Sequence, residues 1–141
     1  MRFFYAVCFA FVAAAALAQD TDDRPNLAGK WQVDPARSDG GNDVILNIEA
    51  TDETVHYKQQ TRGEIAEFNC TTDGKECPMT VGGHKAKVSL WYNGPSLIVM
   101  ETKGNNVVKR RLTMTGTSLQ MEVIPIVPQG KTDKLVFNKL G

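Results

Sequence analysis

The chain holds only two histidines, His56 and His84, and neither has a cysteine, histidine or aspartate at ligand spacing beside it. A zinc centre needs three or four such ligands converging, so no metal site is expected. Ser38, Ser89, Ser96 and Ser118 lack a histidine to act as base, and without a nucleophile–base pair no catalytic residue can be assigned. Gly40-Gly41 and Gly82-Gly83 precede no helix whose N-terminus would cradle a phosphate. No cofactor is implied. What remains is the chemistry of recognition. Arg110 carries a planar guanidinium suited to gripping a carboxylate with two parallel hydrogen bonds. Glu101, Tyr57 and Tyr92 are the polar groups that share a site with it if the fold brings them together.

The elements that must position these groups are strands. From Val44 onward apolar and polar residues alternate at period two, broken by turn dipeptides every eight to twelve residues, which is the pattern of a β-meander. Seven turns are expected: Asp52-Glu53, Arg62-Gly63, Asp73-Gly74, Gly82-Gly83, Asn93-Gly94, Asn105-Asn106 and Thr115-Gly116. In a two-residue hairpin the turn dictates which residues face each other and which side each occupies. Tyr57 then faces Phe68, Cys70 faces Cys77, Leu90 faces Leu97, Val99 faces Leu112, and Leu112 also faces Leu119.

All seven turns agree on one apolar face. It runs from Val44, Leu46 and Ile48 through Val88, Leu90 and Leu112 to Met121 and Val123, while His56, Lys58, Lys85, Lys87, Lys109 and Arg111 take the other side. Pro95 is the one conflict, because it stands where a ladder N–H is needed. Three-residue loops there and at Gly104-Asn105-Asn106 would turn only strand 96–103 over, placing Ile98 and Met100 inside.

A long meander with one apolar face buries it by curling closed, which also removes the sheet edges. The expected fold is therefore all-β, a single up-and-down antiparallel barrel of about 8–10 strands. Residues 134–140 would close it against the first strand around Trp31. A β-sandwich is the alternative. In this register Gln59, Glu101 and Arg110 point inward, with Glu101 directly opposite Arg110. Charges are rarely buried unpaired, so one reading is a structural ion pair near a mouth of the barrel. The other is that Arg110, with Tyr57 or Tyr92, holds the acidic head of an amphipathic ligand.

Residues 1–18 read as a signal peptide: Met1-Arg2 is a short positive start, an apolar run follows, and Ala16-Leu17-Ala18 is a small-x-small cleavage site. The run is shorter than the roughly 20 residues a membrane helix needs, so no stable span is expected after cleavage. Residues 19–25 form a polar leader and 26–141 the domain. With Arg2 lost alongside the signal, fifteen basic side chains face sixteen acidic ones, and no basic stripe marks a nucleic-acid partner. Cys8 leaves with the signal. Cys70 and Cys77 remain in a chain bound for the periplasm or the medium, where disulfides form. Residues facing each other across a hairpin have Cα atoms about 4.5–5.5 Å apart, within disulfide range.

Asn26-Leu27-Ala28-Gly29-Lys30-Trp31 resembles the N-x-x-G-x-W start of lipocalins, and more broadly the chain resembles small exported bacterial lipocalin-like proteins. Thr71-Thr72-Asp73-Gly74-Lys75-Glu76 and Lys134-Leu135-Val136-Phe137 share in that likeness. The resemblance implies that Gly29 turns the chain into the barrel, that Trp31 plugs its closed end, and that Lys139, ahead of Lys134, packs over the Trp. Gln32 departs from the pattern, which often has an aromatic residue there. The expected function is binding of a small apolar or amphipathic molecule. The alternatives are a protein partner, as for a secreted protease inhibitor that uses residues 19–24, and a filled barrel with a purely structural role. An enzyme ranks behind them.

Overall fold

Period-two alternation makes each strand a two-faced ribbon, and ten such ribbons follow one another. The computed structural model describes residues 24–40 and 43–141. Its strands are β1 Gly29–Val33, β2 Val44–Ala50, β3 Thr54–Thr61, β4 Glu64–Thr71, β5 Cys77–Val81, β6 His84–Asn93, β7 Ser96–Lys103, β8 Asn106–Thr115, β9 Ser118–Val127 and β10 Asp133–Lys139. Each pairs antiparallel with its neighbours in sequence, and β1 pairs with both β2 and β10, which closes the barrel. The closed ring replaces the sandwich alternative, because all ten strands of the described residues belong to it and none is left to begin a second sheet. The only helical element among the described residues is one 3-10 turn, Pro35–Arg37, capped by the Asp34 carboxylate. No helix there is long and apolar enough to cross a membrane. Residues 1–18, expected to be a signal peptide, and most of the expected leader 19–25 lie outside the described residues.

The expected register holds from β2 to β6: Ile48 faces Tyr57, Tyr57 faces Phe68, Phe68 faces Met79, and Met79 faces Ala86. The disulfide between Cys70 and Cys77 is formed, with Cα atoms 5.7 Å apart. The Asp73-Gly74 hairpin is looser than a two-residue turn. Residues 72–76 form a loop in which Asp73 bridges to Trp91 and the Gly74 N–H donates to the Leu90 carbonyl.

Three later turns are displaced by one residue: two sit one further along, at Gly94-Pro95 and Gly116-Thr117, and one sits one back, at Gly104-Asn105. Leu90 therefore faces Val99 instead of Leu97, Val99 faces Arg110 instead of Leu112, and Leu112 faces Met121 instead of Leu119. The cause is turn chemistry. Gly94 has φ 57°, the left-handed value that the first central position of a II′ turn needs. Pro95 then occupies the second position, where no ladder N–H is required of it. Moving a turn by one residue moves the pairing by two, so every side chain keeps its face. Leu97 and Val99 are in the core, and Ile98 and Met100 are not turned inward. Ile98 is nonetheless only 1% exposed, on the outer face between its cross-strand neighbours Trp91 and Arg111.

Candidate ligand-binding site

In a meander, successive turns alternate between the two ends of the barrel. One end collects Leu27 to Gly29, the turns after β2, β4, β6 and β8, and the end of β10. The other collects the turns after β3, β5 and β7 and the loop from β9 to β10. The first end is sealed. Trp31 is 1% exposed, its indole Nε1 donates to the Leu27 carbonyl at 2.9 Å, and the Lys139 ammonium lies 5.7 Å from its ring centre. Lys139 stands directly opposite Trp31, whereas Lys134 lies at the far end of β10, opposite Glu122. Gly29 makes the fit possible: at φ 141° a Cβ there would come within 2.9 Å of the Lys139 side chain.

Above this plug the barrel is filled by its own side chains. Leu46, Ile48, Val55, Tyr57, Phe68, Leu90, Leu112 and Phe137 are each 3% exposed or less. A void roomy enough for water would leave accessible surface on the side chains that wall it, so this layer is closed. Only at the second end does the interior open. There Gln59, Thr61, Ala66, Val81, Glu101 and Arg110, with Glu64 at the rim, line a cavity of about 210 Å³.

Its polar groups form two linked sets. The Tyr57 hydroxyl donates to Gln59 Oε1 at 2.5 Å, and Gln59 Nε2 donates to Thr61 Oγ1 at 3.2 Å. Across the cavity Arg110 Nη1 donates to Glu101 Oε1 at 3.0 Å. Burial pushes the Tyr57 phenol far above its ordinary value; the Arg110 charge pulls it back and the Glu101 charge pushes it further up. Tyr57 therefore stays a neutral donor at any physiological pH. Of the five guanidinium N–H groups, those not held by Glu101 have no other hydrogen-bond partner among the described residues and are not sealed from solvent, and Arg110 lines the cavity.

Arg110, Glu101 and Tyr57 are thus brought together at one mouth. Tyr92 is not. It is the last inward residue of β6 before the turn at the sealed end, where the Arg24 guanidinium sits 4.8 Å over its ring. Burial raises its phenol pKa, and Arg24 acts against that rise. Thr61, Ala66 and Val81 also wall the cavity. They follow from the same inward parity, Thr61 and Ala66 as a polar and a small side chain and Val81 as the last residue of its strand beside the Gly82-Gly83 turn. His56 is on the outer face, with Nε2 2.9 Å from Glu67 Oε2 and Nδ1 3.9 Å from Glu49. Among the described residues no group of three His, Cys, Asp or Glu side chains is placed to hold a metal ion.

A larger hollow of about 680 Å³ is bordered by the outward residues Pro78, Thr80, Lys85, Lys87 and Thr102. Its lysines point to water, with Lys87 held by Glu76 at 3.3 Å. Its lining is largely apolar, Met79 and Ala86 included, but its charged groups are turned to water and do not converge on one point, as groups that orient a small ligand do. The mouth cavity has them.

The fold is a closed antiparallel meander barrel, the architecture that lipocalins and fatty-acid-binding proteins share. No family model matches the chain, and no curated protein matches it. Solved structures do. The REP1-NXSQ fatty acid transporter superposes with a TM-score of 0.68 at 16% identity, covering 82% of this chain and 96% of that one. A secretory abundant heat soluble protein from Ramazzottius varieornatus gives 0.67 at 13% identity, over 82% and 96% of the two chains. The Schistosoma mansoni fatty acid binding protein in complex with arachidonic acid gives 0.64 at 13% identity, over 81% and 96%. At such identities the likeness is one of fold.

Proposed function

We propose that this barrel is a binding protein for a small amphipathic molecule, taken up at the open mouth with its polar head against Arg110. The observation that carries the reading is the mouth itself: a guanidinium with free donors, beside a neutral Tyr57–Gln59–Thr61 chain, over an apolar floor. A head group that accepts hydrogen bonds replaces water at Arg110, and its tail covers Ala66 and Val81. Fatty-acid-binding barrels of the same fold support this use of the architecture. The N-x-x-G-x-W start and residues 1–18 support an exported lipocalin-like protein, and the Cys70–Cys77 disulfide supports an oxidising compartment.

Titration of the purified domain with straight-chain carboxylates, followed by calorimetry and native mass spectrometry, tests the reading. Saturable binding at one site per chain, weakened by Arg110→Met, is the expected result. Absence of saturable binding by every chain length and by a panel of apolar dyes would remove the proposal.

A further inference from the structure

We infer that the site is built for short-tailed amphiphiles, with the layer headed by Tyr57 and Phe68 acting as a floor that stops longer chains. This rests on the reading of the mouth as a binding site for an amphipathic molecule.

The register supplies the argument. The five deepest cavity residues each have an inward neighbour two positions nearer the sealed end of the same strand: Tyr57 beneath Gln59, Phe68 beneath Ala66, Met79 beneath Val81, Val99 beneath Glu101 and Leu112 beneath Arg110. Every one of these neighbours is 4% exposed or less. The floor is therefore continuous around the part of the wall that lines the cavity. Its centre is rigid as well as full. Tyr57 and Phe68 face each other across β3 and β4 with ring centres 5.0 Å apart and planes 9° from parallel. The Tyr57 hydroxyl is tied to Gln59, so the ring does not swing aside without breaking that bond.

The space above the floor is small. At about 30 Å³ per water-sized group, the 210 Å³ cavity takes about seven such groups. A carboxylate head uses three, which leaves room for a tail of about four carbons. Each methylene that is buried tightens binding by about fourfold, and each one left in water adds nothing. Affinity plotted against chain length should then climb and break.

Calorimetric titration with the series from butanoate to hexadecanoate reads the break directly. For the native protein it is expected near pentanoate, with no further gain to dodecanoate. Phe68→Val opens the floor and should move the break to longer chains. Ala66→Phe fills the cavity from its wall and should abolish binding while the thermal unfolding transition is kept. This second variant keeps the test decisive if Phe68→Val fails to fold. A slope that continues unbroken to dodecanoate in the native protein would overturn the inference and leave the proposed function standing. So would a folded Phe68→Val protein whose break does not move, or a folded Ala66→Phe protein that binds normally. Absence of binding at every length would overturn the proposed function itself, and this inference with it.

Discussion

Glu101 and Arg110 meet on a diagonal. Glu101 stands opposite Val108 and Arg110 opposite Val99, yet Arg110 Nη1 reaches Glu101 Oε1 at 3.0 Å. Diagonal neighbours on one face of an antiparallel pair lie about 7–8 Å apart, within reach of long side chains. The ion pair therefore survives a displacement of the register that moved both residues off their expected partners. The displacement also leaves the guanidinium over Val99 and beside Val123, with its remaining donors toward the mouth.

With side chains only 17% and 11% exposed, the pair should be sensitive to removal of one partner. Arg110→Ala is expected to destabilise the barrel by about 1–3 kcal/mol, because it strands the Glu101 carboxylate. Arg110→Met with Glu101→Leu should recover much of that loss. Glu101→Gln should tighten binding of a carboxylate, since Glu101 now competes for the same guanidinium and repels the same charge. Denaturant unfolding and calorimetric titration of the four proteins check these outcomes together.

The neighbours of Arg110 should not behave alike. Lys109 and Arg111 both point outward, but Arg111 flanks the buried Ile98 and lies 3.6 Å from Glu122. Long basic side chains cover apolar surface with their stems. Lys109, half-buried between Met100 and Ile124, has no ion-pair partner among the described residues, and Lys109→Ala should change stability by about 0.5 kcal/mol. Arg111→Ala should cost more, about 1 kcal/mol, through uncovered Ile98. Equal midpoints in urea for the two variants would contradict this account of the outer face.

The disulfide spans a sequence separation of 7. Closing so short a loop adds about 2–3 kcal/mol in the chain-entropy account. Oxidised protein should show no free thiol in Cys70 or Cys77 by alkylation and mass spectrometry. Reduction should lower the melting temperature without abolishing the fold, because β4 and β5 keep their own ladder and the Asp73 bridge to Trp91 remains. Loss of all structure on reduction would show the staple to be essential to folding.

Tyr57 predicts an alkaline limit. Its pKa is raised in the fold, chiefly by burial. Above the ordinary tyrosine value of 10.0 the unfolded chain loses the proton while the folded one keeps it. Fewer protons bound in the unfolded state means that stability falls as pH rises. Below that value the effect is absent. The slope contributed is at most about 1.4 kcal/mol per pH unit. Tyr57→Phe should flatten the stability profile above pH 10, at a cost near neutrality of about 1 kcal/mol for the lost hydrogen bond to Gln59. Tyr92 shifts in the same direction and leaves a residual slope.

Which face each side chain occupies was legible in the residues alone. Period-two alternation is a local property, and it withstands a turn misplaced by one residue because the pairing then moves by two. Hence Leu46, Tyr57, Leu90, Val99 and Leu112 all lie inside, although three turns moved. The partners of those residues were less legible. Glycine at the first central position of a turn competes with Asn-Gly and Thr-Gly as the signal, and only the backbone dihedrals choose between them.

The site divides the same way. That Arg110, Glu101 and Tyr57 point inward follows from their parity along β8, β7 and β3. That Tyr92 belongs to the sealed end, and Arg110 to the open one, depends on how far along each strand a residue sits once ten tilted strands have closed. Sequence spacing does not report that height. Nor does it report emptiness. An inward apolar face is equally consistent with a hollow barrel and a filled one, and the volumes of Trp31, Phe68, Leu112 and Phe137 settle the matter only when they meet in three dimensions. They fill the interior up to the Tyr57–Phe68 layer and leave the mouth above it open.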